Sequence, residues 1–301
     1  MVTVTTAKAL SDGIASVAAN TEKVFRLQAG SYAFTDSMTI APGSEVAIVG
    51  VGSVTITGGP SNDPRNALLV VDSGATAYVA SVLLSGTGSC TAILSRSSST
   101  VWVDDSRDFG FHSPISGVGE IHVRRSSMNA SGASPYFQIG SFFAENSSFG
   151  PNGSGGLSFA GLTFDNSVTV NLKYVTVAGN QNAINCVNAV PPVGGVISNS
   201  ILTSWAGESV TGGTNGSNCT GMTFSHNAVS GSSSTQGAFG TTMAWDNANW
   251  FTSEANGDFH LSTVGKTAIP KSAVRAADDP ALDIDGTSHP ASNGYPGYDE
   301  P

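Results

Sequence analysis

The sequence is poor in charged residues, and basic residues are especially few. Only 11% of its 301 residues are charged, and 12 Lys and Arg stand against 22 Asp and Glu, which gives a net charge of −10. Nucleic-acid binding needs clustered basic side chains that neutralise phosphates. The few basic residues here are scattered along the chain, so we expect no nucleic-acid partner.

Long apolar runs are also missing. No stretch approaches the length that spans a bilayer, so we expect no membrane insertion. The amino terminus, MVTVTTAKALSDG, lacks the basic and then apolar layout of a secretion signal. Low charge with abundant Ser, Thr and Asn is nevertheless common in secreted bacterial β-proteins. We therefore expect a secreted or cell-surface protein whose signal has been removed.

Cysteine is scarce, with three residues in the chain. A disulfide bond between Cys186 and Cys219 would stabilise the fold by roughly 3 kcal/mol or more. Cys90 would then have no disulfide partner. Three buried free thiols that behave as small apolar residues fit the sequence equally well. Both alternatives stay open at this point.

A run of short repeats organises the middle of the chain. Between about residues 67 and 230, alternating apolar residues, a small polar cluster and a Gly or Asn recur every 20 to 28 residues. This period is typical of a solenoid, in which each unit buries its apolar face by stacking on its neighbours. Examples of the repeat are TAYVASVLLSG, STVWVDDSRDFG, GEIHVRRSSMNAS, GSFFAENSSFG, TVNLKYVTVAG and GGVISNSILTS.

The ends of the chain differ from the repeats. The segment AKALSDGIASVAAN carries Leu10, Ile14 and Val17 at helical spacing, which predicts a short capping helix that Asn20 stops. At the other end, DDPALDIDGTSHPASNGYPGYDEP is rich in Pro and Asp and predicts an irregular wrap. Because a solenoid grows by adding coils, we predict one domain over 1–301, with a cap in 1–23, coils in 24–265 and a tail in 266–301.

The order of these segments resembles a known fold family. A helix, FRLQAGSY, VAIVGVGSVTITGG and coils that end in N-S or D-S clusters are similar to the right-handed parallel β-helix of the pectate-lyase-like superfamily. The tail, with DFHLS, DIDGTSHP and YDE, resembles the closing segment of extracellular bacterial β-helix proteins, although Ser288-His289-Pro290 and Pro296-Gly297-Tyr298 depart from the usual pattern. The resemblance implies an all-β, right-handed parallel β-helix. It leaves the activity open, because lyases, hydrolases, esterases, phage tail proteins and adhesins share this fold.

The catalytic signatures of the superfamily are incomplete. No Arg-x-Lys of the polygalacturonase-like hydrolases occurs in the chain. STVWVDDSRDF resembles the V-W-I-D-H segment of pectate lyases, in which acidic residues hold calcium, but Asp105 stands where the His would be. The downstream Arg-x-Pro-x-x-Arg pattern that would supply the base is absent as well.

Stacking the coils in register predicts two outward columns of side chains. Alternation with a period of two turns every second side chain into the core, so the residues between them point outward. The inward set is Val79, Val101, Val103, Ile121, Val123, Val170 and Leu172. The first outward column is Tyr78, Trp102, His122, Phe143 and Asn171, and the second is Ala80, Asp104, Arg124, Glu145 and Lys173. A slip of one residue would put Asp105 in place of Asp104 and break the second column.

The first column predicts a binding surface for polysaccharide. Sugar rings stack on aromatic side chains, and their hydroxyls bond to charged groups. The members of this column are therefore the candidate substrate-binding residues. We expect the protein to be a monomer. Aligned aromatics also stabilise a sheet by roughly 0.2 to 1 kcal/mol per pair without any ligand, so a structural role stays open.

The second column is where the sequence places any chemistry. In a polysaccharide lyase acting on a uronate-containing glycan, Lys173 would be the base, or Tyr174 if it faces outward, and Arg124 would neutralise the substrate carboxylate. Asp104 and Glu145 would hold Ca²⁺ as a cofactor. An inverting hydrolase would instead pair Asp104 or Asp108 with Glu145. The competing interpretation is a non-catalytic surface, adhesive or structural β-helix module.

Overall fold

The chain folds as a parallel β-solenoid of about eight turns, with two short helices and an irregular tail. This confirms the predicted all-β fold class. The computed structural model describes residues 1–60, 66–86, 90–151, 160–165, 167–179, 182–187, 194–204, 209–211, 219, 221–230, 237–243, 249–253 and 258–297. Its contacts divide the chain into a first unit, Met1–Pro135 with Ile139–Ser141, and a second unit, Tyr136–Gln138 with Phe142–Pro301.

The first unit has three walls of parallel strands. The first wall has the order β1-β2-β4-β6-β9-β12, the second joins the later halves of β2 and β4 to β7, β10 and β13, and the third has the order β3-β5-β8-β11. The elements are β1 Val2–Val4, α1 Ala7–Ala15, β2 Glu22–Phe34, β3 Met38–Ile40, β4 Glu45–Gly58, β5 Ala67–Val71, β6 Thr76–Ala80, β7 Leu83–Ser85, β8 Thr91–Ser95, β9 Thr100–Asp104, β10 Arg107–Phe111, β11 Ser113–Gly117, β12 Glu120–Arg124 and β13 Ser127–Ala130.

The second unit repeats this plan. Its first wall contains β17-β19-β22, its second contains the later half of β17 with β20-β23-β24, and its third has the order β14-β16-β18-β21. Two antiparallel pairs follow, β25 with β26 and β27 with β28. The elements are β14 Tyr136–Phe137, β15 Gly140–Pro151, β16 Ala160–Phe164, β17 Val168–Gly179, β18 Asn182–Cys186, β19 Gly194–Ser198, β20 Ile201–Ser204, β21 Val210–Thr211, β22 Gly221–Ser225, β23 Ala228–Ser230, β24 Thr241–Met243, β25 Phe251–Ser253, β26 Asp258–Leu261, α2 Thr263–Ala268, β27 Ala273–Val274 and β28 Ser292–Gly294.

The predicted alternation sets which side chains fill the core. All seven residues predicted to point inward are at most 1% exposed. In the second unit the interior also holds a group of phenylalanines, in which the Phe137 ring lies 4.3 Å from Phe142 and 5.6 Å from Phe164. Burial of these apolar faces between successive turns is what stabilises the stack.

The predicted capping helix is present as α1, although it ends at Ala15 and not at Asn20. The Thr6 hydroxyl accepts a hydrogen bond of 3.2 Å from the Ala9 N–H, which starts the helix, and Leu10 and Ile14 are buried beneath it. A side chain at Gly13 would place its Cβ within 2.5 Å of the Phe25 ring. The helix therefore covers the core of the first unit at close range.

The second unit contains one disulfide bond. Cys186 and Cys219 are bonded, with their Cα atoms 5.6 Å apart, whereas Cys90 of the first unit is free and buried. Of the two alternatives that the sequence left open, the structure therefore has the disulfide.

Each unit has a corner between its first and second walls where one residue adopts a left-handed backbone. The residues at this αL corner are Ser81, Asp105 and Arg125 in the first unit, with φ of 54°, 46° and 46°, and Asn146, Tyr174, Asn199 and His226 in the second, with φ of 45°, 52°, 51° and 55°. Only a minority of residues other than glycine adopt this conformation, and Asn and Asp do so most readily.

The residue after each corner explains the N-S and D-S clusters of the sequence. Ser106 accepts a hydrogen bond of 3.3 Å from the Val82 N–H and donates one of 2.9 Å to the Asp104 carbonyl. In the second unit, the Ser200 hydroxyl accepts a hydrogen bond of 3.2 Å from the Val175 N–H and donates one of 2.8 Å to the Ser198 carbonyl. These hydroxyls satisfy buried backbone groups where the strand pairing is interrupted by the turn.

Candidate functional site

The aromatic column of the first unit lies where the sequence predicts it. In the first wall, Tyr78 pairs with Trp102, and Trp102 pairs with His122. All three side chains are half-buried on the outer face, because their strand neighbours point into the core. The predicted register is therefore confirmed for these residues, and the one-residue slip is excluded for β9.

Two rings of this column, Trp102 and His122, stack on each other. Trp102 and His122 are nearly parallel, at 6°, with centroids 3.7 Å apart, and the Arg124 guanidinium lies 5.3 Å from the Trp102 centroid. The Glu120 carboxylate contacts the His122 Nε2 at 2.6 Å. Since a ring that stacks on its neighbour has one face covered, this arrangement suits a stabilising ladder better than a platform for sugar faces.

Asp104 of the second column is surrounded by positive charge. Its side chain is 6% exposed, and Arg125 binds it with Nη2 at 2.9 Å from both carboxylate oxygens. Arg124 Nη2 lies 3.3 Å away, and the Tyr78 hydroxyl donates a hydrogen bond of 3.1 Å. Burial and the Asp104 carboxylate raise the pKa of Tyr78, and the hydrogen bond to Asp104 raises the pKa of Arg125.

These contacts bear on the predicted calcium site. A carboxylate that already faces two guanidinium groups has little to offer a cation, because the arginines neutralise it. Within the part of the chain that the structure describes, no group of three His, Cys, Asp or Glu residues is arranged to hold a metal ion. Asp104 belongs to the first unit and Glu145 to the second, so Ca²⁺ bound by this pair stays a prediction without support.

Asp108, the other carboxylate of the hydrolase interpretation, lies inside the first unit. It is fully buried, between Leu84 and Met128 in the ladder of the second wall. Neither carboxylate oxygen has a hydrogen-bond partner among the described residues, and burial raises its pKa well above the usual value. Substrate cannot reach this group, so it is not a catalytic carboxylate.

The second unit carries an open cleft of about 390 Å³ on its outer face. One side is the first wall, and the other is the tail segment 274–279, which the sequence placed only in an irregular wrap. Most of its lining residues have polar or charged side chains, and they include two of the predicted site residues, Asn171 and Lys173. The lining residues are Asn171, Lys173, Val196, Ser198, Asn199, Ser225, His226, Val274, Arg275, Ala276, Asp278 and Asp279.

Lys173 spans the cleft and binds the tail. Its Nζ lies 2.5 Å from an Asp278 carboxylate oxygen and 3.1 Å from Asp279, whose side chain is only 3% exposed. Burial alone would lower the pKa of Lys173, but the two aspartates outweigh that effect and raise it. A proton-abstracting lysine needs a lowered pKa, so these contacts argue against Lys173 as a base.

Asn171 lines the same cleft and is unsatisfied. Its side-chain oxygen is shielded from solvent and accepts no hydrogen bond from the described residues. It pairs with Val196 across β17 and β19, as Lys173 does with Ser198. An unsatisfied buried acceptor costs about 1–3 kcal/mol.

The remaining predicted residues of the second unit have different surroundings. Phe143 and Glu145 are half-buried on β15 and alternate with buried Phe142 and Ala144, as predicted for an outer face. Tyr174 occupies the αL corner and is fully buried, with its ring 3.8 Å from that of His289 in the tail. It does not face outward, so the condition for its role as an alternative base is not met.

Comparison with known proteins adds no assignment. No protein family, no curated protein and no solved structure matches the chain. The described residues contain no helix that is both long and apolar enough to cross a membrane.

Proposed function

We propose that the chain is an extracellular β-helix protein of the pectate-lyase-like type that binds polysaccharide in the cleft of its second unit. The observation that carries this proposal is the polar cleft between the first wall and the tail. Its volume of about 390 Å³ falls in the range of roughly 300–1,000 Å³ that is usual for ligand sites. The non-catalytic module is the form of the proposal that we favour.

The chemistry of the lining fits a polyhydroxylated ligand. Ser198, Ser225 and Asn171 offer hydroxyl and amide groups that can both donate and accept hydrogen bonds, as sugar hydroxyls do. Val196 and Val274 add exposed apolar surface, at 38% and 42%, against which the C–H faces of a sugar ring can pack. Because the cleft is open, it can hold an internal segment of a polymer as well as a free end.

The charges of the cleft favour binding over bond cleavage. Lys173 is neutralised by Asp278 and Asp279, and the hydrogen bond from Lys173 lowers the pKa of Asp278. The Asp278 carboxylate therefore stays ionised and paired with Lys173 at neutral pH. A lyase needs a base of lowered pKa, whereas the pKa of Lys173 is raised. An inverting hydrolase needs a carboxylic acid of raised pKa, whereas the pKa of Asp278 is lowered.

Secretion belongs to the same proposal. A disulfide bond such as Cys186–Cys219 persists in oxidising compartments and is rare in the cytosol. This supports an extracellular or cell-surface location, where polysaccharide is available.

The test is binding to a glycan array that contains neutral and uronate polysaccharides, followed by calorimetry with oligosaccharides of the glycan that binds. Asn171→Ala should weaken binding about tenfold, equivalent to about 1.4 kcal/mol, because it removes an amide from the lining. The matched control is Thr169→Ala, an exposed change on the outer face of the same strand, which should leave affinity unchanged.

Two results would contradict the proposal. If the protein binds no glycan on the array, the proposal is wrong. If Asn171→Ala and Thr169→Ala lose the same amount of affinity, the glycan does not bind in the cleft. Ultraviolet absorbance of new unsaturated ends, measured on uronate polymers with and without Ca²⁺, distinguishes the module from the lyase. Unsaturated ends that vanish in Lys173→Ala would restore the catalytic interpretation.

A further inference from the structure

Besides Lys173, the solenoid residue Asn199 binds the tail wall of the cleft. Asn199 is 1% exposed and sits at the αL corner directly after β19. Its Nδ2 donates hydrogen bonds of 3.0 Å to the Val274 carbonyl and to an Asp279 carboxylate oxygen. Its Oδ1 accepts a hydrogen bond of 2.9 Å from the Val274 N–H. The amide thus pairs with Val274 as a neighbouring strand would.

Asp279 shows how closely this contact is linked to the cleft. Its buried carboxylate accepts from Asn199, from the Ala276 N–H at 2.9 Å and from Lys173 at 3.1 Å. The same side chain therefore ties the corner, the tail backbone and the floor of the cleft together. A carboxyl group this deeply buried needs such partners, because an unsatisfied buried polar group is costly.

A second contact between corner and tail serves as a comparison. Asn146 donates to the Leu282 carbonyl, and its Oδ1 lies 3.1 Å from the His289 Nε2. It too is buried and in the αL conformation. None of these three residues lines the cleft, so Asn146 holds the tail at another place.

We propose that Asn199 is the positioning residue of the cleft, which fixes the segment 274–279 over the first wall and so creates the ligand site. This rests on the proposed function for its effect on binding. Its effect on the tail is independent of any ligand. Without the amide, Val274 and Asp279 lose the hydrogen bonds that they make with Asn199, and the wall they form moves away from Asn171 and Lys173.

The experiment compares Asn199→Gly with Asn146→Gly in the full chain. Glycine adopts the αL backbone without penalty, so both variants keep the corner and lose only side-chain bonds. The Gly297 N–H bond of 2.8 Å to the Asn199 carbonyl involves backbone atoms and is kept. Hydrogen exchange of the Val274 amide and affinity for the array-selected oligosaccharide are measured in each variant.

We expect Asn199→Gly to speed exchange at Val274 and to weaken binding at least tenfold, while Asn146→Gly changes affinity less than twofold. Unchanged exchange at Val274 in Asn199→Gly would overturn the inference, as would equal loss of affinity in the two variants. If the wild type binds no glycan, the proposed function fails, and hydrogen exchange alone then decides whether Asn199 positions the wall. Fast exchange with retained affinity would show that the wall is not part of the site.

Discussion

The αL corners of the two units share a backbone conformation and differ in what they bind. In the first unit, Asp105 and Arg125 are exposed and bond to side chains of their own unit. In the second, Asn146 and Asn199 are buried and bond to the tail. An amide can donate to one backbone group and accept from another, whereas a charged group seeks its counterion. The side chain at one turn position thus decides whether an irregular segment can dock there.

The largest difference between the units should appear on reduction. Replacing Cys186 and Cys219 with Ser removes a constraint on the unfolded chain and should lower the free energy of unfolding by about 3–4 kcal/mol. Urea unfolding with and without a reductant measures this. Cys90→Ser in the first unit is the control for reductant effects and should leave the response to reductant intact. Equal unfolding curves for reduced and oxidised protein would mean that the disulfide bond does not stabilise the second unit.

The ion-pair network of the first unit gives the next largest effect. Asp104→Ala leaves two arginines and the Tyr78 hydroxyl without their shared acceptor and should cost about 1–3 kcal/mol in unfolding free energy. The pKa of Tyr78 should fall back toward its usual value, which ultraviolet titration of the phenol detects.

Asp105→Asn is the matched control for this network, since it removes the charge of an exposed side chain that contacts the Ser81 hydroxyl at 2.9 Å and keeps a residue that tolerates the αL backbone. It should change stability by less than about 0.5 kcal/mol. Equal losses in the two variants would mean that the exposed corner, and not the buried carboxylate, carries the stability of this face.

Asp108 of the first unit makes a pH-dependent contribution to stability. Its raised pKa means that the folded state keeps a proton which the unfolded state releases. Unfolding free energy should therefore fall as pH rises above the usual carboxyl range, by up to about 1.4 kcal/mol per pH unit until the folded pKa is reached.

Asp108→Asn keeps the shape of the side chain and removes the titration, so the difference in unfolding free energy between wild type and variant should grow with pH. Urea unfolding at several pH values measures it. A constant difference would mean that Asp108 has an ordinary pKa or a partner in solution.

Much of the fold and part of the site could be predicted from the sequence. Alternation placed Tyr78, Trp102 and His122 in one column, because a period of two and a repeated unit leave little freedom of register. The stacking of the Trp102 and His122 rings depends on side-chain torsions, which the pattern does not contain. The position of Asp108 was missed because the αL corner resets the alternation between the first and second walls.

The cleft could be predicted only in part. Asn171 and Lys173 follow from the repeat, whereas Asp278 and Asp279 lie in a segment without periodicity, and their contact with Lys173 spans about a hundred positions. The signal that pointed to them was compositional, an acidic and Pro-rich stretch after the last coil. The asparagines in N-S clusters were visible as turn residues, but nothing in their spacing indicated a docking role.

The way the tail meets the solenoid also sets the order of assembly. Lys173 and Asp278 are 105 residues apart, and Asn146 and His289 are 143 apart. During synthesis, at about 5–20 residues per second, the turns of the second unit emerge seconds before the segment that completes the cleft. A nascent chain therefore presents an unfinished groove until the segment that contains Asp278 and Asp279 has been synthesised.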